Sequence, residues 1–190
     1  MDKFTKKIKG ENNTDIVTKR NVLFSNDKLS VIKHDGWSIV KECDMVVCII
    51  HLIEDNQFIL RHEYIPTFKL IDGQEYHLTV LSGTIKQGES PKTTLLREIE
   101  EEAGIVIDPD FNIEFEKPLF VSKGCVDKYH PCIITLSEKD YHEVVVKGDG
   151  SKAEKKSKSV KLNIKYINSV NASDLITEYM MCKFKEYNNI

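Results

Sequence analysis

"GTIKQGESPKTTLLREIEEEAGI", residues 83–105, places Glu98, Glu100, Glu101 and Glu102 within five consecutive positions. Its punctuation predicts a helix. Ser90 is a good N-cap, Pro91 stands at the first helical position and Gly104 follows the last turn. Thr93 rather than a glutamate lies three residues after the cap, so there is no capping box. Leu96, Ile99 and Ala103 share one side, which is expected to face the core. Glu98, Glu101 and Glu102, spaced i, i+3 and i+4, are expected to point together away from it, with Glu100 projecting elsewhere.

Two carboxylates about 6 Å apart repel by about 3 kcal/mol at an effective dielectric of about 20. Arg97 offsets only about 0.2–0.5 kcal/mol of this through its partner four residues on. A divalent cation would offset it far better, and oxygen ligands without His or Cys suit Mg²⁺ or Mn²⁺ rather than zinc. Taken alone, a run of acidic residues is more often only a solvated face.

Outward from this helix, the chain reads as short strands. "NVLFSNDKLSVIKHDGWSIV" is divided by the turn signals "SND" and "HDG". Val46 to Ile53 is a continuous apolar run, "EDNQ" a turn, and Phe58 to Ile65 the returning strand of a buried hairpin. Tyr76 to Leu81 leads into Gly83. After the helix, "FEKPLFVSKG" and "YHPCIITLSE" read as strands, "VKGDGSKAEKKSKS" as a loop, "VKLNIKYIN" as a strand and "ASDLITEYMMCKFKEY" as a closing helix. Strands around one or two helices, without a regular βαβ rhythm, predict a mixed α+β class. The polar residues 1–20 read as a loose arm.

The 190 residues fit one domain with a small appendage. Lys plus Arg number 27 against 30 Asp plus Glu, a net charge of -3, so no basic field points to DNA or an anionic membrane. No apolar run approaches the roughly 18 residues of a membrane span. The start, "MDKFTKKIKGENN", lacks a signal-peptide apolar region. The five cysteines form no CxxC pair and read as reduced thiols of a cytoplasmic protein.

The spacing of the central stretch overturns the solvated-face reading. Gly83, Glu89, Arg97-Glu98-Ile99, Glu101-Glu102 and Gly104-Ile105 reproduce the whole signature of the Nudix hydrolases. Nine such positions coincide by chance on the order of once in 10⁷ to 10⁸ chains. The resemblance implies an α/β/α sandwich around a mixed sheet. It implies Mg²⁺ held by Glu98, Glu101 and Glu102 near Gly83, with Glu89 holding Arg97 or joining the metal cluster. It also implies hydrolysis of a pyrophosphate link in a nucleoside diphosphate derivative.

Outside the signature the chain resembles the ADP-ribose pyrophosphatase branch. "FILRHEYIP" matches its Arg-Gln-Tyr-Arg-like segment and "VSKGCVDKYHP" its Ser-Pro-Gly-Cys-x-Asp-Glu stretch. "GDGSKAEKKSK" takes the place of its late loop bearing a glutamate base. Residue by residue, Arg61 and Tyr64 become expected substrate contacts and Glu154 the expected general base, with Glu98 or Glu101 as substitutes. Tyr64 replaces the second arginine, Thr79 a glutamate, Leu81-Ser82 a Pro-Ala pair, and Lys128 an acidic residue. Trp37, Tyr64 and Phe68 are candidates to stack on a base, although packing is the commoner role of such rings. Among the lysines of the late loop, Lys152, Lys155, Lys156 and Lys158 read either as a phosphate attractor or as a merely soluble surface. His62, His77 and His130 show no zinc spacing and read as structural.

Residues 1–42 are expected to be an N-terminal arm and strand extension able to dimerise, and 43–190 the Nudix domain of a homodimer. Within the same chemistry, ADP-ribose or another nucleotide sugar leads as substrate, and NADH, dinucleoside polyphosphates and capped RNA stay open. A nucleotide-sensing domain without turnover is the alternative of another class. The retained carboxylates argue against it.

Overall fold

The structure, a computed structural model, describes residues 21–146, 150 and 154–190, with all their side chains except those of Asp72 and Glu154. Alternation along one strand, β4 (Met45–Leu52), sets the layers. Val46, Cys48, Ile50 and Leu52 face one way, toward Leu95 and Ile99. Val47 and Ile49 face the other way, toward Phe58, Leu60, Met180 and Phe184. Side chains of period two on a strand buried on both faces give the continuous apolar run seen in the sequence.

Before β4, β1 (Val22–Ser25), β2 (Ser30–His34) and β3 (Trp37–Lys41) form an antiparallel sheet of their own. It is tied to the body at Val40, whose N–H donates to the Gly124 carbonyl at 2.8 Å. Next to that seam the buried Asp127 carboxylate accepts from the Glu42 N–H at 2.6 Å and from the Cys125 thiol at 2.9 Å.

β5 (Gln57–Tyr64) returns antiparallel to β4, but only Ile50 to Leu52 pair with it. Beyond that point the two strands part. The fork is filled by β6 (Tyr76–Thr79) on β5 and β7 (Leu81–Thr84) on β4. A short helix, α1 (Pro66–Asp72), connects β5 to β6.

α2 (Pro91–Glu98) follows β7 and continues as a π-helical turn over Ile99–Ala103. β8 (Ile105–Ile107) pairs with β11 (Tyr141–Glu143), and β9 (Leu119–Phe120) with β10 (Lys128–Leu136). β10 runs parallel to β4 in register from Met45↔Tyr129 to Leu52↔Leu136, which makes the sheet mixed. β12 (Lys158–Asn163) closes the far edge on β5, and α3 (Leu175–Asn188) covers the second face. The result is the expected α/β/α sandwich.

Three local expectations change. Leu95, more than Leu96, is the buried apolar residue of α2. "VKLNIKYIN" is a strand only to Asn163, whose side chain accepts from the Lys165 N–H and caps a 3₁₀ segment over Ile164–Ser169. "FEKPLFVSKG" contributes only the two residues of β9. Among the described residues no helix is long and apolar enough to cross a membrane.

Candidate active site

The signature segment is built from the strand outward. β7 delivers Gly83 opposite Val46, and Gly88, at φ +85°, makes the turn that brings Glu89 back toward the chain. Ser90 caps α2 by accepting from the Thr93 N–H at 3.1 Å. Gly104, at φ +65°, ends the π-turn in the left-handed conformation that favours glycine. Gly83 itself lies inside its strand, between Ser82 and Thr84. A Cβ there would collide with the Glu98 side chain. Space for Glu98 is what requires glycine.

Arg97 organises the carboxylates. Its Nε and Nη2 donate to Glu89 at 3.3 and 3.2 Å, and its Nη1 donates to Glu98 at 2.7 Å and Glu101 at 2.9 Å. A further Nη2 bond, 3.4 Å, reaches the Thr84 carbonyl. The five donors of the guanidinium fork are thus all directed.

Glu89 also accepts from the Thr94 hydroxyl at 2.8 Å and the Lys86 N–H at 3.3 Å. Arg97 first and Thr94 second lower its carboxyl to about 2. Burial raises Glu98 above the ordinary glutamate value, against the pull of Arg97.

Glu102 goes elsewhere. The π-turn, closing i→i+5, is wider than the α-turn on which the i, i+3, i+4 expectation rested. The Glu102 carboxylate meets Arg61 Nη2 at 3.2 Å. Its carbonyl accepts from the Ser159 hydroxyl at 2.8 Å, and Arg61 Nη1 approaches at 3.5 Å. Arg61 is only 4% exposed, and its Nε has no partner among the described residues.

Among the described residues no three or more acidic, His or Cys side chains are placed to hold a metal ion. Glu98 and Glu101 are turned to Arg97, and Glu102 to Arg61. The donor chemistry nonetheless fits a hard cation. Glu89, Glu98 and Glu101 are all-oxygen donors gathered on one positive centre, and Glu98 carries a charge that burial disfavours and a cation would stabilise.

The remaining expected residues divide. Tyr64 lies under the Lys156 ammonium, 3.9 Å from ring centre to Nζ, with Tyr76 edge-on. Phe68 packs edge-on to His77, and Trp37 is 61% exposed on β3. His77 bonds Ser173, His62 stacks on Tyr76 and His130 lies 3.7 Å from Asp44, all in keeping with structural roles. The Glu154 side chain and Lys152 lie outside what the structure describes.

Sequence reasoning gave no role to Glu63, Asp174 or Ser159, which stand beside the fork or against Glu102. Asp174 had a signal in the N-cap spacing of "ASDLIT". The other two had none, because polar residues on strand ends look alike until the strands are paired.

The NUDIX domain family model matches residues 44–156, more than half of the chain. The chain belongs to the NUDIX family. No curated protein matches it by sequence. By shape it resembles 263 solved chains. One of them, a crystal structure of an ADP compounds hydrolase, superposes with a TM-score of 0.61 over 87% of this chain and 89% of that one, at 18% identity. That likeness concerns the fold.

Proposed function

We propose that the protein is a divalent-cation-dependent pyrophosphohydrolase of nucleoside diphosphate derivatives, with ADP-ribose or a similar nucleotide sugar first. The observation that carries this is the gathering of Glu89, Glu98 and Glu101 on Arg97 against Gly83. The hydrolase of ADP compounds that shares the fold supports the choice of substrate.

Glu98 and Glu101, both bonded to Arg97 Nη1, would hold Mg²⁺, or Mn²⁺ in its place, with the backbone at Gly83, and Glu102 would join them on leaving Arg61. When bound, such an ion neutralises the diphosphate and lowers the pKa of a water. The chain's own contribution is positioning. Arg97 fixes Glu98 and Glu101, Glu89 fixes Arg97, and Arg61 fixes Glu102. This assignment moves Arg61 from substrate contact to support, while Tyr64 beside Lys156 stays as the substrate contact. The general base is Glu154 in the late loop, with Glu98 or Glu101 able to replace it.

The same reading carries a homodimer through residues 1–42, since β1–β3 expose Leu23, Phe24 and Trp37. It also carries a cytoplasmic setting, which suits five free thiols.

Purified protein with Mg²⁺ or Mn²⁺ is to be incubated with ADP-ribose, UDP-glucose, NADH, dinucleoside polyphosphates and capped RNA, and the phosphorylated products separated. ADP-ribose is expected to give AMP, and Glu101→Gln to remove turnover without unfolding the chain. No turnover of any member between pH 6 and 9 would sink the enzyme reading in favour of a sensor.

A further inference from the structure

Three carboxylates of the signature helix divide between two arginines. Glu98 and Glu101 share Arg97 Nη1, whereas Glu102 meets Arg61 Nη2 at 3.2 Å. The two surroundings differ as well. The Arg97 side chain is 21% exposed and that of Arg61 only 4%. Glu102 is held through its main chain too, since its carbonyl accepts from the Ser159 hydroxyl at 2.8 Å and from Arg61 Nη1 at 3.5 Å.

Among the described residues Glu102 is the one carboxylate paired with Arg61. The neighbours directly across the sheet are Thr79 on β6 and Ser159 on β12, both neutral. The Thr79 hydroxyl is given to Glu63 at 2.8 Å, and the Ser159 hydroxyl to Glu102 itself. Arg61 Nε has no acceptor among the described residues. No second acid stands ready to take the guanidinium over.

Drawing Glu102 to a cation beside Glu98 and Glu101 therefore strands a buried positive charge. An unpaired charge away from water is strongly unfavourable, and it repels a second cation placed close by. On both counts Arg61 acts against the ion. A residue that merely orients a metal-binding carboxylate acts the other way, and its loss weakens metal binding by about 10–100-fold. The two roles differ in sign, so a binding measurement separates them.

We infer that Arg61 is a built-in stand-in for the divalent cation: a latch that keeps Glu102 away from Glu98 and Glu101 until an ion displaces it. Ser159 steadies the latch by holding the Glu102 main chain against β12. The consequence is a cation affinity lower than three converging carboxylates would give. The inference rests on the divalent-cation reading above and adds the residue that opposes loading of the site.

Mn²⁺ binding to the whole chain is to be measured by electron paramagnetic resonance without any nucleotide, so that turnover plays no part. Arg61→Met keeps the bulk of the side chain without its charge. It is expected to bind Mn²⁺ about tenfold or more tightly than wild type, where loss of a mere support would weaken binding by a similar factor. Adding Glu102→Gln is expected to remove the gain, because the gain runs through the released carboxylate. Ser159→Ala leaves both charges in place and is expected to tighten Mn²⁺ by about two- to tenfold, the worth of one hydrogen bond. That variant decides the matter where Arg61→Met does not fold. An affinity unmoved or lowered in a folded variant, or a gain that survives Glu102→Gln, would overturn the latch and leave the cation site standing. No Mn²⁺ binding by wild type or any variant would sink the cation reading itself, and the latch with it.

Discussion

Arg61 of β5 and Glu102 of the π-turn form an ion pair of 3.2 Å with side chains only 4% and 11% exposed, and it ties the sheet to the acidic end of the signature helix. Desolvation makes such a pair weak evidence for net stability but makes removal of one partner costly. Arg61→Leu, which strands Glu102, is expected to lower unfolding stability by about 3–5 kcal/mol. Combining it with Glu102→Leu is expected to recover most of that loss. Urea denaturation of the two variants measures both. A residue that only touched substrate would leave the urea midpoint unchanged and raise KM alone.

Gly83→Ala tests the close approach of β7 to Glu98. A methyl group there would overlap the Glu98 side chain, so either the carboxylate or the strand must move. Overpacking of this kind costs about 1–3 kcal/mol. A displacement of about 1 Å near reacting groups costs roughly 10²-fold in rate. The variant is therefore expected to remain folded by circular dichroism, with kcat reduced about a hundredfold. Unchanged kcat would show that Glu98 need not sit where it does.

The signature helix was legible because its start and stop are local chemistry: Ser90 and Gly104 act on their own neighbours. The β4–β5 hairpin was legible for a similar reason, since strands covered on both faces read as apolar runs. α1 was not. Its cap position, Ile65, makes no side-chain bond, and Leu70 and Ile71 are exposed, so no amphipathic pattern marks it. The π-turn was equally hidden, because "REIEEEAG" satisfies α-helical spacing as well. Only tertiary partners, Arg61 and Ser159, show where Glu102 goes. Pairwise chemistry within one turn is visible in a sequence; pairing between strands far apart in it is not.

Asp127 holds the N-terminal sheet to the domain. It is 2% exposed, and it accepts from the Glu42 N–H and the Cys125 thiol. Asp127→Ala removes the acceptor of the part-buried Glu42 hydrogen bond, at a cost of about 0.5–1.5 kcal/mol. Hydrogen exchange is expected to rise at Val40, Glu42 and Val126 before it rises in β4 or β10. Uniform acceleration across the chain would mean that the seam and the core open together.

Glu89 and Glu98 give opposite pH dependences. Glu89 is lowered to about 2 from an ordinary 4.5, chiefly by Arg97 and Thr94. A depressed carboxylate contributes stability above its unfolded value and loses it as pH falls through the folded one. The Tm advantage of wild type over Glu89→Gln is therefore expected to be full above about pH 4.5 and to vanish toward about pH 2. Glu98 is raised, chiefly by burial. Its ionised form is disfavoured in the folded chain, so without metal Glu98→Gln is expected to be the more stable protein above that same unfolded value, and equal to wild type below it. Melting curves from pH 7 to pH 2.5 on the metal-free variants read both. Parallel curves for Glu89→Gln and wild type would mean that Arg97 does not hold Glu89, and the carboxylate cluster would lose its organising charge.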